Sequence, residues 1–360
     1  MPRLEGTLKH YDWGSKTAIA ELRGIPPSGE PEAELWFGPG KNLPWLVKIL
    51  AIQKPLSLQL HPNAKQALRG FELEEARGIK LDDPNRLYRD KKSKSELVCA
   101  LTPFKAFCGL REIDSAIESA EIFDLPKEFF APLLTDGEKG WGKVIAGLLS
   151  GEWNQEIEDL LYRCRSGVDE TREKEAEEII KIAKIHKIDA SIMLLPFMNY
   201  HELGIGDAIH VEPGVAHIYI QGMAVEVMEP GDNVLRAGLT KKHTDKSEFI
   251  SLLDVKAEET QVQNASEEDH EYTGPVDNLT VRRIEDTKIE VNGSKSIDLI
   301  LATTGVSKVE NGEEMQLESG QAFLIHGEDS DYTIETTGSA FCLLYTSPSP
   351  RDQRGSGMPS

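Results

Sequence analysis

Apolar and polar positions change rhythm twice along the chain. Residues 1–110 read as loops and short strands with two helical stretches. The run 45–60, WLVKILAIQKPLSLQL, is apolar and β-rich and breaks only around Lys54-Pro55, which predicts two strands flanking a short break. Residues 63–78 space their apolar positions as a helix. After Arg111 the helical spacing takes over, with apolar positions three and four apart in 113–122, 126–134, 141–150 and 155–164. Residues 169–187 read as a strongly charged helix with Ile179, Ile180, Ile182, Ala183 and Ile185 inside it. From Ile192 short strands resume, separated by turns at Gly204, Gly206, Gly214, Gly222 and Gly231, and the same rhythm runs through 254–345.

Short, turn-punctuated strands of this kind suggest jelly-roll barrels. The expected architecture is therefore mainly β with a helical insert: two jelly-roll β-barrels plus an α-helical domain. Residues 1–111 with 192–253 would form the first barrel, 112–191 the insert, and 254–341 the second barrel. An internal repetition supports two barrels. Gly206-Asp-Ala-Ile-His-Val-Glu-Pro-Gly-Val-Ala-His217 resembles the segment from Gly320 to Tyr332, each with a glycine turn, a strand, a second turn and another strand. The first copy ends on histidine and the second on tyrosine. The segment 342–352, CLLYTSPSPRD, with the following QRGSGMPS, matches what a transposon-type sequencing adapter encodes in one frame. Residues 342–360 are accordingly expected to be a non-native, disordered tail.

Composition narrows the class. No apolar run approaches the ~20 residues of a membrane span, and the N-terminal MPRLEGTLKHYDWGS has no apolar signal core. Cys99, Cys108, Cys164 and Cys342 are scattered without a CxxC pair, which argues for a reducing, cytoplasmic setting and against a thiolate metal site. With 61 acidic against 40 basic residues the chain lacks a basic footprint, so nucleic acid is not an expected partner. An acidic protein can still bind a small anion by gathering a few cations in a cleft.

Three features could carry chemistry. In PLSLQLHPN, Gln59 and His61 stand two apart on a strand and so share a face. Glu96 ends the cation-rich loop YRDKKSKS as it enters an apolar strand. His217 follows a Pro-Gly turn inside another apolar strand. Each alone reads as an ordinary structural residue. Together, two imidazoles, a carboxylate and an amide oxygen suit zinc, with manganese, iron or cobalt as alternatives. Periodicity does not assemble residues so distant in sequence. Trp36, Trp141 and Trp153 read as packing residues, and His186 and His201 as structural or exposed.

Several motifs resemble one family in order along the chain. LPWLVKILAIQKPLSLQLHPN, YDWGS, AELWFGP, LTPFKAFCGLRE and AVEVMEPGDNVLRAGLTKKHTD are similar to segments of the type I phosphomannose isomerases, which are cupin-type metalloenzymes. The matches span residues 10–245; the C-terminal barrel matches loosely. The resemblance implies a single Zn2+ held by Gln59, His61, Glu96 and His217. It implies Arg236 in the active site, with Lys94, Glu226 and Asp232 near the chemistry. Lys48, Ser57, Lys242 and Tyr219 match pocket positions that would meet a sugar phosphate. Two departures stand out. The family's NHKPE reads KSKSE, putting Ser93 in place of histidine and Ser95 in place of proline, and RAG-x-T-P-K has Lys241 in place of its proline.

The implied activity is aldose–ketose isomerisation of mannose 6-phosphate and fructose 6-phosphate through a cis-enediol. A base, Lys94 or a carboxylate system around Glu226 or Asp232, would move the proton. Arg236 would stabilise the developing oxyanion. The phosphate would fall to Lys242, Lys48 and Ser57. A monomer is expected. A non-catalytic sugar-phosphate-binding barrel, or a metal enzyme of different chemistry, is the competing reading, since the fold alone does not choose.

Overall fold

A computed structural model describes residues 3–38, 43–255, 261–265, 267–292, 297–326 and 331–345. Its axis is one long strand, His217–Met228, which serves two curved sheets. The first part pairs with Leu58–Leu60 and Phe104–Leu110; the second part pairs with Leu46–Ile52 and Glu96–Ala100. The crossover falls at Gly222, with φ at 124°. A Cβ there would stand 2.7 Å from the Pro103 carbonyl oxygen, so only glycine lets the strand turn from one sheet into the other.

Apolar side chains on both faces of these sheets explain the layering. Between them lies a core containing Leu50, Val98, Phe104, Ala106, Tyr219 and Ala224. The outer face of one sheet, through Leu60, Phe107, Ile218 and Leu235, packs on the helices. The outer face of the other, through Val47, Ile49, Leu97 and Val225, packs on Val281, Leu299 and Phe341 of the C-terminal part. Strands buried on both sides read as continuous apolar runs, as 45–60 does.

The helices fall where the periodicity places them: Ile113–Ile122, Lys127–Asp136, Trp141–Ser150, Asn154–Ser166 and Glu173–His186. The expected return to strand at Ile192 is corrected. Ala190–Phe197 is 3-10 helical, opened by the Asp189 side chain accepting from Ser191 N, and the strand Met198–Leu203 begins only after it.

The C-terminal part pairs a six-stranded sheet with a four-stranded one. Both repeat copies end where a strand starts, at His217 and at Tyr332, although the second copy's turn at 327–330 lies outside the described residues. The two parts exchange short strands. Arg3–Leu4 pairs with Ala322–His326, and Val262–Gln263 pairs with Ala208–Val211. The expectation of disorder from residue 342 is also corrected. Ser339–Tyr345 is a strand between Leu279–Glu285 and Ile297–Ala302, with Cys342 and Leu343 buried; 346–360 lie outside the described residues.

Candidate metal centre

The strand Leu58–Leu60 ends at His61, and the chain at once enters the helix Ala64–Ala76. Asn63 forms a capping box with Gln66 there, so the exit direction of the histidine backbone is fixed. Gln59 faces His217 across one strand boundary and Arg236 across the other. Directly paired residues project to the same side of a sheet, so His217, Gln59 and Arg236 form one row on one face. On the opposing sheet, Val98, Glu226, Lys48 and Trp36 form a second row, with Glu96 two residues before Val98 on the same face.

These rows bring His61, Glu96 and His217 together, all buried, with their donor atoms within 4.8 Å of one another. His61 Nε2 lies 3.1 Å from Glu96 Oε1, and His217 Nε2 lies 3.9 Å from Glu96 Oε2. The Gln59 amide nitrogen is 3.3 Å from His217 Nε2. Each imidazole is oriented from behind by a backbone carbonyl, which can only accept. His61 Nδ1 donates to Asn233 O at 2.8 Å and His217 Nδ1 to Val215 O at 3.0 Å. Both Nε2 lone pairs are thereby aimed at the cluster.

Burial, reinforced by Lys94, lowers the His61 pKa to about 3, and burial lowers that of His217. Burial alone would raise Glu96, but Lys94 and the two imidazoles reverse this and hold its carboxyl well below the usual range. Two neutral imidazoles and one carboxylate with fixed tautomers are the donor set that zinc takes.

Lys94 Nζ is 2.8 Å from Glu96 Oε1 and 3.3 Å from His61 Nε2. Lys48 donates to Glu226 Oε2 at 2.6 Å in a buried pair. Burial and then Glu96 push Glu226 up to about 7 against the pull of Lys48, while Lys48 is raised by Glu226 and Glu34 despite its own burial. Asp232 is exposed at the rim, its N–H donating to Asp90 Oδ2. Arg236 is half-buried; burial and Arg89 weaken its proton affinity, while Asp232 supports it. Lys242 is lowered by burial and then by Arg236. Arg89, Arg236 and Lys242 thus crowd like charges at one side of the site.

Three pocket residues have other engagements. Tyr219 is 1% exposed and donates to Glu96 Oε2 at 2.8 Å, so it orients the carboxylate. Ser57 Oγ donates to Gln59 Oε1 at 3.1 Å. Lys48 spends its charge on Glu226.

The family model for the phosphomannose isomerase type I catalytic domain matches residues 38–113. The Escherichia coli K12 mannose-6-phosphate isomerase is 28% identical, over 94% of this chain and 98% of its own. Mannose-6-phosphate isomerase 1 of Arabidopsis thaliana is 32% identical over 71% of each chain. The chain belongs to the mannose-6-phosphate isomerase family. Among solved structures, the Salmonella typhimurium mannose 6-phosphate isomerase bound to fructose 6-phosphate and zinc superposes with a TM-score of 0.82 at 27% identity, covering 96% of this chain and 99% of that one. A zinc-bound mannose 6-phosphate isomerase gives 0.83 at 26% identity over 96% and 99%.

Against the family motif, Ser95 Oγ lies 2.7 Å from His210 Nε2 and its N–H donates to Glu229 Oε2. Hydrogen bonds therefore fix the backbone where the motif has proline. Four residues near the site escaped sequence reasoning. Trp36, read as a packing residue, is half-buried beneath Lys9 and Lys48, whose Nζ atoms lie 4.9 and 5.0 Å from its ring centroid. Glu34 accepts from Trp36 Nε1. Arg89 joins the cationic group.

Asn233 is fully buried. Its side chain accepts from Arg89 N and Asp90 N and donates to Asp90 O and Lys92 O, while its carbonyl orients His61. The string DNVLRAGLT contains it. An asparagine there is a signal only if the loop it binds is known.

Proposed function

We propose that this chain interconverts mannose 6-phosphate and fructose 6-phosphate as a metal-dependent aldose–ketose isomerase working through a cis-enediol. The observation that carries the reading is the buried His61–Glu96–His217 donor set facing the same cleft as the half-buried Arg236. Zinc would be held by His61, Glu96 and His217, with Gln59 beside them. When bound it would supply Lewis acidity at the sugar oxygens O1 and O2.

The chain's own residues then have distinct tasks. A base removes the C2 proton of the open-chain aldose while the C1 oxygen takes up negative charge. The same proton, or one from solvent, is delivered to C1 as the C2 hydroxyl proton passes to the C1 oxygen and C2 becomes the ketone carbon. Lys94, buried beside Glu96 and His61, is our choice of base. Glu226 is the second candidate, because its elevated pKa suits proton transfer near neutrality. Arg236 offsets the enediolate charge. We assign the phosphate to Lys242 with Arg89, since Lys48 and Ser57 are committed to Glu226 and Gln59. Asp232 supports Arg236 electrostatically.

We further propose a monomeric, cytoplasmic enzyme whose mannose 6-phosphate feeds GDP-mannose synthesis. Four buried cysteines that form no disulfide fit a reducing compartment. No helix among the described residues is long and apolar enough to cross a membrane.

The test is turnover in D2O followed by NMR. Mannose 6-phosphate should yield fructose 6-phosphate, with deuterium at C1 to the extent that the abstracted proton exchanges with solvent. A chain that binds the sugar phosphate and leaves every C–H intact would be the non-catalytic binder instead. Lys94→Met should abolish turnover at unchanged zinc content; substantial remaining activity would move the base to Glu226.

A further inference from the structure

The turn that carries Arg236 and Lys242 holds itself in an uncomfortable shape. The strand Leu235–Gly238 slips register against Leu58–Leu60 between Arg236 and Gly238. The next residue, Leu239, has φ at 56°, a left-handed conformation that strains a branched, non-glycine residue. Such a conformation persists only where its surroundings over-determine it. The family motif places a proline two residues later, and this chain has Lys241, so the ring that would stiffen the turn is absent.

The restraint comes from the end of the helical insert. Asp189 Oδ2 accepts from Leu239 N at 2.8 Å, and Asp189 Oδ1 accepts from Ser191 N and Ser191 Oγ at 2.9 and 2.5 Å. Ser191 is fully buried. This knuckle presses so closely on the turn that a Cβ on Gly238 would lie 2.1 Å from Ser191 Oγ and 2.6 Å from Asp189 Oδ1. Glycine is therefore required at 238 by the approach of another segment. Among the described residues the Arg236 side chain donates only to Val234 O, from Nη1 at 3.3 Å, so the backbone of the turn does much to decide where its guanidinium stands.

We propose that Asp189 is a positioning residue for the isomerase reaction: it locks Leu239 in the left-handed turn and thereby places Arg236 and Lys242 for the substrate. The inference rests on the isomerase reading above and gives the helical insert a role in the active site. A misplacement of about 1 Å in such a group can cost on the order of 100-fold in rate.

Asp189→Ala should lower kcat/KM roughly 10–100-fold while zinc stays at one per chain. In an Arg236→Ala background the same change should alter kcat/KM clearly less, leaving only the share that runs through Lys242. Equal losses in both backgrounds, or wild-type kinetics for Asp189→Ala, would overturn the proposal. A merely structural role would lower thermal stability and the folded fraction alike in both backgrounds.

Should Asp189→Ala fold poorly, Ser191→Ala removes one donor to the same carboxylate and should show the same background dependence at smaller size. Hydrogen exchange at the Leu239 amide reads the brace without catalysis. It should be protected in the wild type and exposed in Asp189→Ala, and equal protection in both would also overturn it. If the wild-type chain itself failed to isomerise the sugar phosphate, the isomerase reading would be at fault, and the exchange result would still stand or fall by itself.

Discussion

Replacing Tyr219 with phenylalanine separates two roles that the resemblance and the structure assign differently. The ring packs edge-on against Phe104 at a centroid distance of 5.6 Å, and phenylalanine keeps that contact. Only the hydroxyl is lost, and with it the 2.8 Å hydrogen bond to Glu96 Oε2. Glu96 Oε1 keeps Lys94 at 2.8 Å and His61 at 3.1 Å, so the carboxylate stays charged but loses its second anchor. A hydrogen bond to a charged acceptor contributes about 1.5–3 kcal/mol.

At about 1.4 kcal/mol per decade, zinc affinity should fall roughly 10–100-fold, the usual range for losing a group that orients a metal ligand. Competition with a chromophoric chelator measures this directly. At saturating zinc, KM for the sugar phosphate should stay within about twofold of wild type, because a side chain 1% exposed does not reach the substrate. Unchanged zinc affinity together with a raised KM would refute the reasoning and return Tyr219 to the substrate pocket.

Other expectations follow from the same contacts. Asn233→Ala removes the clamp on 89–92 and should both weaken zinc binding and raise KM; hydrogen exchange should rise at Arg89 and Asp90 N, and no change there would count against the clamp. The Lys48–Glu226 pair is buried, so Lys48→Met alone should destabilise the fold by about 3–5 kcal/mol in urea titration, with part recovered in Lys48→Met/Glu226→Leu. Acid should destabilise the metal-free protein. The folded pKa of His61 lies at about 3, below its unfolded value of 6.5, so its contribution is complete above pH 6.5 and is lost as pH falls toward 3. At pH 5 the loss is about 2 kcal/mol, and His61→Gln should flatten the curve between pH 7 and 5.

The helices were readable because their apolar positions repeat at helical spacing between clear stops. The segment at Ala190–Phe197 misled because an unbroken apolar run has no period, and its helical turn is set by the Asp189 cap and Pro196. Gln59 and His61 were readable as a pair because strand alternation puts them on one face. Glu96 and His217 joined them only through resemblance, since strands remote in sequence bring them together. Trp36 and Asn233 were not readable. An aromatic in an apolar strand looks the same whether it faces a core or carries two lysines, and an asparagine's five partners belong to a loop whose path depends on the fold. Tyr219 matches a pocket position by resemblance, and its hydroxyl donates to the Glu96 carboxylate.

The proposed function requires the His61–Glu96–His217 cluster, with Gln59, to hold the metal on which isomerisation depends. The most direct measurement is a coupled assay of mannose 6-phosphate conversion, run with zinc, after chelation and after zinc is restored, on the wild type and on His61→Ala. The expected result is turnover that chelation abolishes and zinc restores at one equivalent per chain, with His61→Ala inactive throughout and unable to retain zinc. Full turnover by the chelated protein, or by His61→Ala, would contradict it.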